Sequence, residues 1–322
     1  MHHILRTTLT AMTLWLGCTA TATAQTYPAQ PIRLIAPFPP GGFTDVVIRK
    51  AAAGLSRELG TTVLVENKPG AGTNIGTDTV VKSAADGYTL LVGTSSLAIN
   101  PSLYAQLPFD PQRDLRPIGM LATTGYTLIA NKDFQPPSTQ TLIEYAKSHP
   151  GQISFGSSGN GAVNHLAAVL FSSSAGVDML HVPYRGSQAA IADLIGGRIQ
   201  LFWSSTLEAL PLIQSGRVKA FGVTDPDSVS ALPDVPPIGQ TLKSYEVKYW
   251  MGLFAPAAVS DVITQQLAAA LERVAQDPEL LAYLKQSGAN SAFLPPDKAA
   301  ELLSNDTQRW AGIVKASGAK VE

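Results

Sequence analysis

The feature that most restricts the fold of this chain is an alternation of short apolar runs with helix-patterned stretches, passed through twice. Pro31-Ile32-Arg33-Leu34-Ile35-Ala36 reads as a strand, 46–59 as a helix, 62–66 as a strand, 75–83 as a helix and 88–93 as a strand. That order implies a mainly parallel sheet with helices on its faces. A second series follows. Strands are expected over 126–130, 153–155, 179–182, 200–203 and 218–223, with helices over 141–149, 163–173 and 188–195. Two α/β blocks of similar build predict two lobes. The last third is helical: Ile263, Leu267, Leu271 and Val274 make one apolar face, and Pro295-Pro296-Asp297 opens a final helix. These helices need a sheet to pack on, so the chain is expected to return to the first lobe. The crossings fall near Thr123–Gly125 and Lys248–Trp250. Lobe 1 is then 25–124 with 249–322, and lobe 2 is 125–248.

The first 24 residues stand apart from this pattern. A basic start ending at Arg6, a short apolar centre at Leu14-Trp15-Leu16 and the exit Ala22-Thr23-Ala24 form a secretory signal peptide, cleaved before Gln25. The apolar run is too short to span a bilayer. The only cysteine, Cys18, lies inside this segment; its setting has some likeness to a lipoprotein acylation site, which bulky Trp15 fits poorly. Cleavage after Ala24 leaves a mature chain with no thiol for disulfides, catalysis or metal binding. With 23 basic against 24 acidic residues and no Lys/Arg-rich run, nothing points to nucleic acid.

Chemistry is expected where strands give way to helices through small-residue loops. A helix N-terminus exposes unpaired amides and the positive end of its dipole, and small residues let an anion come close. The first such junction is Pro40-Gly41-Gly42-Phe43-Thr44-Asp45. Here Asp45 suits helix capping, or a ligand amine, better than contact with an anion. Others are Thr94-Ser95-Ser96, Ser157-Ser158-Gly159-Asn160-Gly161 with His165 just beyond, Arg185-Gly186, and Ser204 after Trp203. Arg185, the one cation among them, is suited either to a bidentate grip on a carboxylate or to an ordinary surface place. His165 is as readily a packed or capping histidine. Gly70-Ala71-Gly72 matches neither a dinucleotide fingerprint nor a phosphate loop and reads as structural.

The sequence carries no metal-binding spacing of His, Cys and acids, no nucleophile elbow, and only five His, two of them in the signal segment. Donor-rich loops with few acids and bases suit holding an anion rather than converting it, and no cofactor or metal is expected.

In order and spacing, the motifs resemble those of the substrate-binding receptors of tripartite tricarboxylate transporters, the Bug receptors. The likeness runs from Tyr27-Pro28 and Pro31-Ile32-Arg33 through Pro37-Phe38, Pro40-Gly41-Gly42 and Asp45. It continues in Val65-Glu66-Asn67-Lys68-Pro69-Gly70-Ala71-Gly72 and Asp86-Gly87-Tyr88-Thr89-Leu90-Leu91. Gly159, Gly161 and His165-Leu166, His181-Val182-Pro183-Tyr184-Arg185-Gly186 and Asp193-Leu194-Ile195-Gly196-Gly197 extend it, and Leu232-Pro233-Asp234-Val235-Pro236 and Trp250 with Gly252 close it. Pro236-Pro237-Ile238 departs from the family's usual Thr after the first proline. The resemblance implies a type II periplasmic-binding fold: two α/β lobes joined by two crossing strands that act as a hinge. It further implies a monomeric, periplasmic, non-enzymatic receptor that binds a small carboxylate through the loops named above and delivers it to two integral-membrane permease subunits. Two alternatives stay open. One is a sensor presenting its closed form to a membrane histidine kinase; the other is a secreted hydrolase using Ser157 or Ser158 with His165 as base. The roles of Phe43, Trp203 and Tyr249 and the identity of the ligand are left open too.

Overall fold

The computed structural model describes residues 27–243 and 245–321; the expected signal segment and Cys18 lie outside them. The first block comprises β1 (Ile32–Ala36), α1 (Phe43–Leu59), β2 (Val63–Asn67), α2 (Asn74–Val81), β3 (Thr89–Thr94), α3 (Ser96–Leu103) and the short α4 (Pro111–Asp114). A long strand, β4 (Leu115–Asn131), leads into α5 (Thr139–Ser148), β5 (Ser154–Ser157), α6 (Val163–Ala175), β6 (Leu180–Pro183), α7 (Ser187–Ile195), β7 (Leu201–Ser205), α8 (Thr206–Gln214) and β8 (Val218–Val223). The chain then runs through β9 (Lys248–Pro256), α9 (Asp261–Val274), α10 (Pro278–Gln286), β10 (Ala289–Leu294) and α11 (Pro296–Ser317).

The strands follow the order β2-β1-β3-β9-β4-β7-β5-β6, with β8 and β10 also paired to β4. β1 runs parallel to β2 and β3, and β5 runs parallel to β6 and β7, as βαβ units require. The expected mainly parallel character holds in these outer strands. Towards the centre the sheet is mixed, because a chain that leaves by β4 and comes back by β9 must run the opposite way; β3–β9, β4–β9, β4–β7, β4–β8 and β4–β10 are all antiparallel.

β4 is the joint between the halves. Its residues from Leu115 to Gly125 pair with β9, and from Tyr126 onward it pairs with β7 and β8. The change of partner falls at Gly125, where a Cβ would lie 1.8 Å from Asp225 Oδ2, so a larger residue there would have to displace the buried Asp225 side chain. Asp225 is 6% exposed. Its Oδ2 has no hydrogen-bond partner among the described residues. Burial pushes its carboxyl up to about 6, with Glu246 and Asp227 adding to the rise and Lys248 opposing it.

The sequence pattern accounts for the packing. On α1, Val47, Ile48, Ala51, Ala52 and Leu55 recur at helical spacing and are all buried. The helix stops at Gly60, in the left-handed region at φ 64°. α9 and α10 pack on α1, whereas α11 lies against α3, β4 and also α6 of the second lobe. One apolar core therefore runs through both lobes: Leu97, Leu103, Trp310 and Ile313 share it with Leu166, Phe171, Trp203 and Tyr245. A second core, built on α1 and α9, covers the other face of the first sheet.

Candidate functional site

A cavity of about 560 Å³ opens where the crossing strands meet the helix N-termini. Its floor is Thr124, Gly125 and Tyr126 of β4 with Tyr249 of β9. One wall is the β1–α1 loop, Phe38 to Pro40, and the first turn of α1, Gly42 to Asp45. The facing wall belongs to lobe 2: Ser187 at the start of α7, with Ser205 and Glu208 at the start of α8.

Local chemistry explains each wall. Gly41 sits at φ 88°, where glycine is favoured, and turns the chain into α1. Gly42 is the N-cap of α1 and no side chain caps the helix. The Asp45 carboxylate instead accepts from the Gly41 amide (3.0 Å), Arg49 Nε (2.9 Å) and Asn67 Nδ2 (2.8 Å). Burial would raise this carboxyl, but the bonds from Arg49, Gly41 and Asn67 outweigh it and hold it at about 2. Asp45 thus braces the loop rather than capping the helix or standing free for an amine. Thr44 Oγ1 lies 2.9 Å from the Tyr249 hydroxyl, which burial pushes up to about 12. α7 likewise starts at Gly186 without a side-chain cap, whereas Ser205 caps α8 by accepting from the Glu208 amide.

The structure brings Pro40, Gly42, Phe43, Thr44 and Asp45 together at this cavity, with Gly41 beside them. Gly186 adjoins it through Ser187. The other expected residues are placed differently. Ser95 accepts from the Trp250 amide (3.0 Å) and so ties β3 to β9; Thr94 is buried next to it and Ser96 half-buried. Ser157 is fully buried, with Oγ 2.7 Å from His181 Nε2. Ser158 bonds Asn164, and the Gly161 amide donates to His165 Nδ1 (3.1 Å). Gly159 lies beside Tyr184, whose carbonyl oxygen is 3.7 Å from where its Cβ would be. Asn160 and His165 line a separate cavity of about 380 Å³, together with His181 and Phe155. The two imidazoles stack there with ring centres 3.9 Å apart. Burial pulls His165 down to about 4, and His181 adds to the fall. Arg185 is exposed and outside the lining of the first cavity, and Ser204 is fully buried with its hydroxyl unpaired among the described residues. Trp203 belongs to the core rather than to a cavity wall, packed edge-on to Phe155 and Phe171.

Sequence reasoning held Ser187 and Ser205 only as parts of the junction loops before α7 and α8, and missed Tyr126 and Glu208. Glu208 gave no signal of its own, since a lone acid in a helix normally faces solvent. The Ser157–His181 contact joins residues 24 positions apart and was likewise unmarked; Ser157 is too deeply buried to meet a substrate. Among the described residues no helix is long and apolar enough to cross a membrane.

Known proteins share this fold. Residues 47–319 match the family described as "TctC: Tripartite tricarboxylate transporter family receptor". Protein BugT of Bordetella pertussis is 35% identical over 309 residues, covering 95% of each chain. The solved periplasmic binding protein BugD superposes with a TM-score of 0.77 at 34% identity, over 92% of this chain and 100% of its own. An R. palustris protein solved with adipate gives a TM-score of 0.80 at 28% identity, again over 92% of this chain and 100% of its own. The chain, with its two α/β lobes joined by crossing strands, belongs to the tripartite tricarboxylate transporter receptor family.

Proposed function

We propose that this protein is a periplasmic receptor that captures a small carboxylate between its lobes and presents it to the membrane subunits of a tripartite-type transporter. The observation that carries the reading is the start of α1. An uncapped helix N-terminus, reached through Gly41-Gly42, opens on a cavity whose other wall belongs to the second lobe. Unpaired amides and the helix dipole together attract negative charge there. The relative solved with adipate supports an organic acid as the class of ligand.

In this reading lobe 1 is 25–124 with 249–322, and lobe 2 is 125–248. The contacts come from Gly41 to Thr44 on one side and from the N-terminus of α7 at Gly186 on the other. A ligand touching both walls binds the closed form better than the open form, and only that difference drives closure. The leader 1–24 carries the chain to the periplasm.

A thermal-shift screen of organic acids, sugars and cations tests it. Ligand at about a hundredfold excess over Kd adds about 2.7 kcal/mol to native stability. That moves the melting temperature by several degrees for a chain of this size. Organic acids are expected to produce the shift, without turnover of the acid. A shift from sugars or cations alone would refute the reading.

A further inference from the structure

The second wall of the cavity carries a charge that the first does not need. Glu208 stands in the first turn of α8, on the lobe 2 side. Its Oε2 accepts from Ser205 Oγ (2.9 Å) and its Oε1 from Gln188 Nε2 (3.2 Å). Both donors are neutral, so the two bonds fix the carboxylate without cancelling its charge. Asp45, the other acid of the lining, is neutralised by Arg49 at 2.9 Å. Glu208 has no such ion pair among the described residues, and the lining contains no Lys, Arg or His.

We infer that Glu208 is a specificity-determining residue that restricts the pocket to acids with a single carboxylate, whose far end is neutral or donates a hydrogen bond. The inference rests on the receptor reading above. One carboxylate is held by the α1 amides. A ligand long enough to reach lobe 2 brings its far end to Glu208. A second carboxylate there meets a fixed like charge in a partly desolvated site with no cation to offset it, which is how binding sites reject a wrong partner. A hydroxyl or amine at the same place instead donates to a charged acceptor, a stronger bond than one between neutral groups. The body of the ligand lies among Phe38, Phe43, Tyr126 and Tyr249, so a flat apolar spacer fits between the two ends.

Calorimetric titration of the full mature protein with 4-hydroxybenzoate, terephthalate and adipate tests this, for the wild type and for Glu208→Gln. The glutamine side chain keeps its size and its ability to bond Ser205 and Gln188. The wild type is expected to bind 4-hydroxybenzoate at least tenfold more tightly than terephthalate. In Glu208→Gln that ratio is expected to fall by tenfold or more. A wild type that prefers terephthalate or adipate, or a ratio unchanged by the substitution, overturns the charge filter while leaving the receptor reading intact. If no organic acid in a wider panel binds either protein, the receptor reading falls and the filter with it. Should Glu208→Gln fail to fold, Glu208→Ala carries the same comparison, with the same fall in the ratio expected.

Discussion

At the scale of the residue, the least ordinary side chain is Asp225, held against Gly125 where β4 changes partner. Its carboxyl ionises near pH 6 in the native state, against an ordinary value of 3.8. Below pH 3.8 both native and unfolded chains keep the proton, and burial of the neutral acid is fully tolerated. As pH climbs from about 4 to about 6 the unfolded chain releases its proton while the native state holds it, so stability falls with rising pH. The loss levels off above pH 6 at about 3 kcal/mol. Asp225→Asn should therefore raise the melting temperature at pH 7.5 and change it little at pH 4. Equal shifts at both values would show that the carboxyl is not buried as described. His165 acts in the opposite sense. Its imidazole is held neutral down to about pH 4, so its contribution is present above pH 6.5 and is lost as pH falls towards 4. His165→Gln should flatten the acid limb of a stability curve measured by urea unfolding. Neither shift could be read from the sequence. The rise of Asp225 comes chiefly from burial, with Glu246 and Asp227 adding to it against Lys248, and the fall of His165 comes chiefly from burial, with the ring of His181, sixteen positions along the chain, adding to it.

At the scale of the element, the helix starts carry the argument, and here the sequence was informative. Gly41-Gly42 before an apolar-periodic stretch marked the start of α1, and the small-residue loops marked most of the other strand ends. What remained hidden was which of those ends share one space. Ser95 and Ser157 turn their hydroxyls to neighbouring protein groups, and a loop sequence rich in donors does not say where they point. β10, α10 and the first half of β4 were also missed, since Leu115-Arg116-Pro117-Ile118-Gly119 has a proline and a glycine that read as loop. A Cβ at Gly41 would meet no atom within 4 Å, so a larger side chain there faces only its backbone angle. Gly41→Val should cost about 1–3 kcal/mol of stability through that strained φ and should weaken carboxylate binding by about tenfold or more as the loop shifts. Affinity unchanged in a folded Gly41→Val protein would remove the β1–α1 loop from the binding site.

At the scale of the whole molecule, the alternating pattern made two lobes legible but gave no sign of a core common to both. Trp203 of β7 and Trp310 of α11 lie in the same core. A shared core predicts a single cooperative transition in urea, with near-ultraviolet dichroism and far-ultraviolet dichroism coinciding. Two separated transitions would mean that the lobes unfold independently. Trp203→Ala should lower the stability of the entire molecule by about 3–5 kcal/mol, with the ranking of bound acids unchanged.

The placement of α11 across both lobes also bears on how such a receptor lets go of its cargo. A helix wedged behind the joint acts less like the pin of a door than like the leaf of a spring: any widening of the mouth must shear greasy contacts between α11 and α6. If the lobes move as proposed, the swing should be short, with the resting gape set at the back of the molecule rather than by the jaws. Trimming a single methyl from that rear contact should loosen the gape without touching anything the cargo meets.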